Sequence, residues 1–254
     1  MKSEQTVFTK EDVRNFWNRN VCQTEFIKGE ARGTKSFFEK AEEIRYKYHF
    51  YLVELLDWIA KEKPTGKLLE IGCSMGTDLI QLARKGMQVT GVDLTDEGIA
   101  LAKKRFELYG LPANLIVGDA EQLPFEDNTF DVVYSFGVLH HTPDTQKSID
   151  EVRRVLKPDG IAVIMLYNTN SFNYIVHRVL DAPFDGNRKD RCPIERSYDR
   201  KEVTALFSKF SKVTLEKEYF MTTGYGVVWH LLPKLLHRKL GNIWGWHYII
   251  KAKK

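Results

Sequence analysis

Lys67-Leu-Leu-Glu-Ile-Gly-Cys-Ser-Met-Gly76, followed by Thr77-Asp78-Leu79-Ile80, sets the frame for the whole chain. Leu68, Leu69 and Ile71 read as a buried strand that runs into a glycine turn and then a helix. That order is the βα turn of a doubly wound α/β sheet. Gly72 suits a tight or positive-φ turn, and Gly76 lets backbone approach a ligand closely. The unbonded N–H groups at the start of the next helix would face whatever occupies the turn.

Downstream, strands are expected at 68–71, 88–93, 114–117, 130–134 and 161–166, with helices at 78–85, 97–109 and 145–156. Single helices between strands predict parallel βαβ units. Lys157-Pro-Asp-Gly160 reads as the turn that stops the last of these helices. Two further strands, 212–219 and 245–251, have no regular crossover helix between them and fit an antiparallel pair. Upstream, Val13, Phe16 and Trp17 lie at helical spacing. Ile44, Tyr48, Tyr51, Leu52, Leu55, Leu56 and Ile59 form one apolar stripe, ending before Pro64-Thr-Gly66. The expected organisation is an N-terminal helical cap (1–63), a core (64–170) and a C-terminal part of the same domain (171–254).

With 254 residues and 43% hydrophobic content, the chain can bury the core of one enlarged α/β domain. Its 38 Lys+Arg against 34 Asp+Glu leave a net charge of +4, too weak to argue for nucleic acid. Cys22, Cys73 and Cys192 are far apart, with no Cys-x-x-Cys pair. A reducing, cytoplasmic setting and no metal site are expected. Met1-Lys-Ser-Glu-Gln5 lacks the apolar core of a signal peptide. The run 51–60 is interrupted by Glu54 and Asp57 and is too short to span a bilayer. A soluble protein without a transmembrane segment is expected, and oligomeric state is left open.

Three acidic positions give the fold a candidate site. Asp93 closes the second strand about twenty residues past the glycine turn, where a carboxylate can accept both hydroxyls of a ribose. Glu70 is a charge inside an otherwise buried strand, expensive unless paired or ligand-bound. Asp119 follows the third strand, where it can accept from an adenine amino group. Capping of the next helices is the competing reading for Asp93 and Asp119; their joint spacing from one glycine turn favours a ligand.

These segments resemble the class I S-adenosylmethionine-dependent methyltransferases, in the broad group of the ubiquinone/menaquinone-type enzymes. Glu70-Ile-Gly-Cys-Ser-Met-Gly76 resembles the family's first motif and Val89-Thr-Gly-Val-Asp93 its second. Gly118-Asp-Ala-Glu-Gln-Leu-Pro-Phe125 resembles the third, and the stretch from Phe130 to Pro143 the fourth. Glu151 to Gly160 is similar to the helix and turn before the fifth strand. Ser74 stands where the family often has a glycine, and Asp159 where it often has Pro-Gly-Gly.

The resemblance implies a Rossmann-like, seven-stranded sheet with an antiparallel last strand, and S-adenosylmethionine as cofactor. It also implies that Gly72, Cys73, Ser74 and Gly76 line methionine and ribose, with Glu70 beside them and Asp93 and Leu94 at the ribose. Asp119, Ala120 and Glu121 would border adenine; Ser135 and Gly137 would pass beneath the sulfonium, with His140 just beyond. A nicotinamide dehydrogenase is the competitor for the glycine turn alone. The acid after the third strand and the closing strand pair count against it. No Asn/Asp-Pro-Pro-aromatic signature follows the fourth strand, which argues against the DNA-methylating enzymes.

A sulfonium methyl is already activated, so the protein must mainly align a nucleophile behind it and exclude water. A base is needed only for an acceptor such as a hydroxyl. His140 and His141 are the candidates, with His140 favoured as the one facing the site. Arg45, Tyr46, His49, Tyr167 and Asn168 are the candidate acceptor-orienting residues. Pro183 to Arg196 is a charged loop, read either as solvated or as an anion-recognising lid. The stretch 221–242 is an unusually apolar insertion with Val227, Val228, Trp229, Leu231, Leu232, Leu235, Leu236 and Leu240. It must cover the active-site mouth, a second subunit or a membrane surface. The reading is methylation of a small-molecule acceptor, with oxygen favoured and nitrogen and carbon left open. A lipid or quinone-type acceptor at a membrane surface, and a non-catalytic cofactor-binding scaffold, remain as alternatives.

Overall fold

The computed structural model describes residues 8–22, 24–221, 225, 229 and 231–254. The Met1–Gln5 start and Val227 and Val228 of the apolar insertion lie outside the described residues. Thr9 opens α1 (Lys10–Arg19) with a capping box: its side chain accepts from the Asp12 N–H, and Asp12 accepts in return from the Thr9 N–H. The single stripe expected from Ile44 to Ile59 is in fact two helices, α2 (Lys35–Tyr48) and α3 (Tyr51–Glu62). The break falls at His49, whose ring stacks with Tyr219 and His247 at 4.6 and 5.7 Å between centroids. Turning there lets α3 lay Leu52, Leu55, Leu56 and Ile59 on the sheet.

The sheet follows the expected alternation. Its strands are β1 (Lys67–Ile71), β2 (Gln88–Asp93), β3 (Asn114–Val117), β4 (Phe130–Phe136) and β5 (Leu156–Asn168), then β6 (Ser197–Tyr198), β7 (Lys212–Glu218) and β8 (His247–Lys253). The order is β3-β2-β1-β4-β5-β8-β7, with the two-residue β6 pairing β5 off that path. Eight strands among the described residues thus replace the expected seven, the extra one being β6. Pairs from β3 through β5 are parallel, whereas β8 runs antiparallel to both neighbours.

Alternation along the strands sorts the core into two layers. Leu68, Val132 and Val163 face α3, α4 (Thr77–Arg84) and α5 (Asp96–Tyr109). Leu69, Val133 and Ile164 face α6 (Thr145–Val155) and the helix at Arg200–Leu206. Lys157–Gly160, expected as a turn, lies within β5 as a bulge: Phe130 pairs with Leu156, but Val132 already pairs with Ile161. Asp159 takes φ 61° there, a left-handed conformation in which glycine would be cheaper.

After β5, α7 (Phe172–Val179) leads into the charged loop, and α8 (Arg200–Leu206) is capped by Asp199. The insertion carries α9 (Lys234–Trp244). Trp229 packs with Phe220 and Met221 against Tyr48 of α2 and Phe172 of α7. No helix among the described residues is long and apolar enough to cross a membrane.

Candidate active site

The carboxyl ends of β1, β2 and β4 and the loop after β3 open onto one cleft. In a doubly wound sheet this is the switch point where ligands bind. The turn after β1 makes its floor. Gly72 and Cys73 donate their N–H groups to the Val92 carbonyl at 2.7 and 3.2 Å, tying the turn to β2. Gly72 has φ 74°, and a Cβ there would lie 2.1 Å from Cγ2 of Val138, so this position takes only glycine. Ser74 keeps the left-handed shape its glycine counterpart would have, at φ 46°. Its N–H donates to Oδ2 of Asp93 at 2.7 Å, a bond that offsets the strain.

Asp93 therefore does two things at once. Its Oδ1 accepts from the N–H and hydroxyl of Thr95, the cap of α5, while Oδ2 holds the glycine turn. Three of about four carboxylate acceptor sites are used, and one is left for a ribose hydroxyl. Burial pushes its pKa up against these bonds.

Asp119 is shared in the same way: Oδ1 accepts from the Glu121 N–H, and Oδ2 receives Lys10 Nζ at 2.5 Å. Lys10 also reaches Oε2 of Glu121 at 2.7 Å. Helix α1 thereby closes one rim of the cleft, adding Val13 and Trp17 to its lining. The expected layout contained none of these three as site residues.

Glu70 is buried on the cleft wall, and its Oε2 has no hydrogen-bond partner. Burial pushes its carboxyl well above the usual range, and the nearby Asp78 charge adds to this. An orphaned, buried carboxylate oxygen on this wall fits an ammonium group such as that of the cofactor's methionine moiety. Binding such a group requires the ionised form. The expected result is that cofactor binding releases a proton from Glu70, which calorimetry in buffers of different ionisation enthalpy would detect. Glu70→Gln should abolish that release.

Opposite Glu70, Arg45 grips Asp78 with Nε and Nη2, the Nε bond being 3.1 Å. Tyr46 and Tyr134 donate to the same carboxylate at 3.0 and 2.9 Å. Arg45 also lies over the Phe136 ring, 4.6 Å from its centroid. Arg45 lines the cleft; Tyr46 sits behind it as a support.

Among the other expected residues, Cys73, Leu94, Ala120 and Gly137 line the cleft. Gly76 caps α4, Ser135 donates to the Ile71 carbonyl beneath the floor, and Glu121 accepts from the Asp144 N–H behind the rim. His49 belongs to the ring stack with Tyr219 and His247. Asn168 is a buried turn holder, donating to the carbonyls of Asn170 and Gly245, and is not brought to the site.

The histidines exchange their expected places. They occupy the short 3-10 turn Leu139–His141, where neighbouring residues point about 120° apart. His141 lines the cleft, whereas His140 is fully buried behind it against Tyr167, 3.9 Å between ring centroids. Tyr167 donates to Oδ2 of Asp185 at 2.8 Å, and that oxygen lies 3.6 Å from Nε2 of His141. Asp185 comes from the charged loop, so the loop reaches the site through a carboxylate. Its arginines Arg188 and Arg191 instead bond the carbonyls of Leu180 and Asp181, which leaves the anion-lid reading without support.

Sheet order, glycine turn and acid-lined cleft together define a class I methyltransferase domain of the S-adenosylmethionine-dependent type. Residues 69–164 match the methyltransferase domain family model. Over 194 residues the chain is 27% identical to the sterol 4-C-methyltransferase strm-1 of Caenorhabditis elegans, covering 74% of this chain and 55% of that protein. It is 42% identical over 96 residues to the phthiotriol/phenolphthiotriol dimycocerosates methyltransferase of Mycobacterium tuberculosis, covering 37% of this chain and 35% of the other. The chain thus spans about half or less of the length of these relatives. Its fold is similar to that of a SAM-dependent methyltransferase, possible histamine N-methyltransferase, from Thermotoga maritima. That match has a TM-score of 0.65 and 19% identity, covering 95% of this chain and 99% of the other.

Proposed function

We propose that this protein transfers the methyl group of S-adenosylmethionine to a hydroxyl oxygen of a small, largely apolar molecule. Glu70 and Arg45 receive the two charged ends of the methionine moiety, Asp93 the ribose and Asp119 the adenine amino group. When bound, the cofactor supplies an electrophilic methyl whose transfer to oxygen returns the carbon–sulfur electron pair to sulfur.

The observation that carries the reading is His141. Its Nδ1 lies 2.6 Å from the Ile194 carbonyl, which can only accept, so Nδ1 holds the proton and Nε2 presents a lone pair. Burial lowers its pKa and so favours the neutral imidazole, while the Asp185 charge works the other way. Val13, Trp17, Val21 and Phe136 give the chamber apolar lining, and Tyr167, Phe184 and Trp246 stack on one another outside it. A hydroxyl placed there loses its proton to Nε2 as its oxygen bonds carbon. Relatives named for sterols and for phthiotriol dimycocerosates support an apolar acceptor.

His141→Ala is expected to lower turnover by about 10²–10⁴-fold, with cofactor affinity changed only a few-fold. The direct test supplies ¹³C-methyl cofactor with hydroxylated sterols, phenols and long-chain alcohols and reads the product by NMR. A methoxy carbon supports the reading. A carbon- or nitrogen-bound methyl, or cofactor binding with no transfer, overturns it.

A second reading, that the acceptor is met at a lipid surface, is favoured by the outward face of the insertion. Leu231, Leu235, Leu236, Ile243 and Trp244 are all exposed there, with Lys234 and Lys239 between them. Turnover measured with and without anionic vesicles separates the two readings, since only surface presentation makes it vesicle-dependent.

A further inference from the structure

Three electron-rich groups converge beside the cleft with too few protons among them. His141 turns its Nε2 lone pair toward Oδ2 of Asp185 at 3.6 Å, because Nδ1 is committed to the Ile194 carbonyl. His141 Nε2 has no hydrogen-bond partner, and neither nitrogen of the fully buried His140 has one. Leaving these atoms buried and unpaired is costly. One ligand atom from each of His140, His141 and Asp185 lies within 4.8 Å of the others.

Asp185 accepts only from Tyr167 on its side-chain oxygens, and neither Asp185 nor the adjacent Glu195 has a lysine or arginine partner among the described residues. Glu195 accepts from the Asp185 and Phe184 N–H groups. A lone pair facing a carboxylate lacks a positive centre between them.

We propose that His140, His141 and Asp185 bind one divalent transition-metal ion at the acceptor end of the cleft. Two imidazoles and one carboxylate on one side of an ion leave its other positions open, and that donor set suits zinc, manganese, iron(II) or cobalt. The Nδ1–H bond of His141 to Ile194 and the Tyr167 hydroxyl on Asp185 are the outer-shell contacts that orient such ligands. The three donors move together by about an ångström on binding, since bond lengths near 2.1 Å bring ligand atoms to roughly 3–3.4 Å from one another.

Of the three donors His141 lines the cleft, so an ion held by them would reach the acceptor's hydroxyl from that side. This deepens the hydroxyl reading and rests on it. An ion there would occupy the His141 lone pair and stand in for it as the group that promotes loss of the hydroxyl proton, which would leave to solvent. No sequence spacing announces the site, because His141 and Asp185 come from a 3-10 turn and a distant loop.

The test titrates metal-free, untagged full-length protein with Zn²⁺ by calorimetry and with Co²⁺ by visible absorption. Controls are Asp185→Asn and His140→Gln, each first checked for retained S-adenosylmethionine binding as proof of folding. The expected result is one equivalent bound at micromolar affinity or tighter, a tetrahedral or five-coordinate Co²⁺ spectrum, and at least ~10-fold weaker binding in each variant. No saturable binding, or binding that neither variant changes, overturns the proposal. Methoxy product formed by metal-free protein at full rate would also overturn it while leaving the hydroxyl reading intact. Loss of transfer to oxygen with metal binding retained would instead count against the hydroxyl reading alone.

Discussion

Gly72→Ala is expected to abolish measurable cofactor binding and to destabilise the fold. The added Cβ would meet Val138 at 2.1 Å from Cγ2 and 2.6 Å from Cγ1, far inside van der Waals contact. It would also have to hold φ 74°, which side chains other than glycine rarely take. Left-handed strain costs about 1–2 kcal/mol and overpacking about 1–3 kcal/mol, so urea denaturation should read a loss of about 2–5 kcal/mol. Val138 and the turn both line the cleft, so relieving the clash displaces the surface that a cofactor lies on. Misplacing it by even 3 kcal/mol of binding free energy weakens affinity by on the order of 100-fold. The double variant Gly72→Ala/Val138→Ala should recover much of the overpacking part, because both Cγ atoms are gone, but not all of it, since the Val138 Cβ would still lie 2.8 Å away, and not the backbone strain. A double variant no better than Gly72→Ala would show that the contact with Val138 is not what excludes a side chain.

Arg45→Leu should be the next most damaging change. It leaves the Asp78 carboxylate, 2% exposed, with only the Tyr46 and Tyr134 hydroxyls for company. Breaking a buried pair by removing one partner costs about 3–5 kcal/mol. In the intact protein burial pushes the Asp78 pKa up, but the Arg45 guanidinium and the two hydroxyls outweigh it and hold the carboxyl below its ordinary value. A depressed folded-state pKa contributes stability that is present above the unfolded value, near 3.9, and is lost as pH falls through the lower folded one. Without Arg45 the sign reverses, and Asp78 folds more easily protonated. The difference between the two proteins should thus be greatest near neutral pH, begin to shrink as pH falls through the raised pKa of the variant's Asp78, and be smallest below the depressed one of the intact protein. A pH-independent difference in denaturation midpoints would show that Arg45 acts by packing on Phe136 alone.

The parts of this molecule that were legible in the sequence are those in which local chemistry and tertiary fate agree. Strand β2 and strand β3 fall at the expected residues because their alternation is bounded by Gly86 and by the Gly110–Pro112 break. The acids that line the cleft were legible for the same reason: strand ends fix Asp93 and Asp119 on one edge of the sheet. What sequence could not carry was direction. His140 and His141 are adjacent and chemically identical, and only the 3-10 turn decides that the second faces the cleft. Asp185 and Lys10 sit in a loop and a terminal helix whose docking depends on distant contacts, such as Asp190 with Asn20 and Arg14 with Asp96. Ser74 and Asp159, where the family often has glycine, mark the two turns that keep their shape at the cost of left-handed strain.

Strand β8 has a consequence for how the chain reaches its native state. Ile161 pairs with Lys253 and Tyr167 with His247, contacts separated by some 80 to 90 positions of chain. Until β8 docks, β5 offers an open hydrogen-bonding edge flanked by Val163, Ile164 and Met165, and β7 has nothing to pair with. Closing so long a loop is entropically slow. The parallel half, built from nearest-neighbour βαβ units, can therefore assemble first and wait with a sticky margin exposed. The folding of this protein is then paced by its antiparallel hairpin, and the same margin is where a stalled chain would find another of its kind.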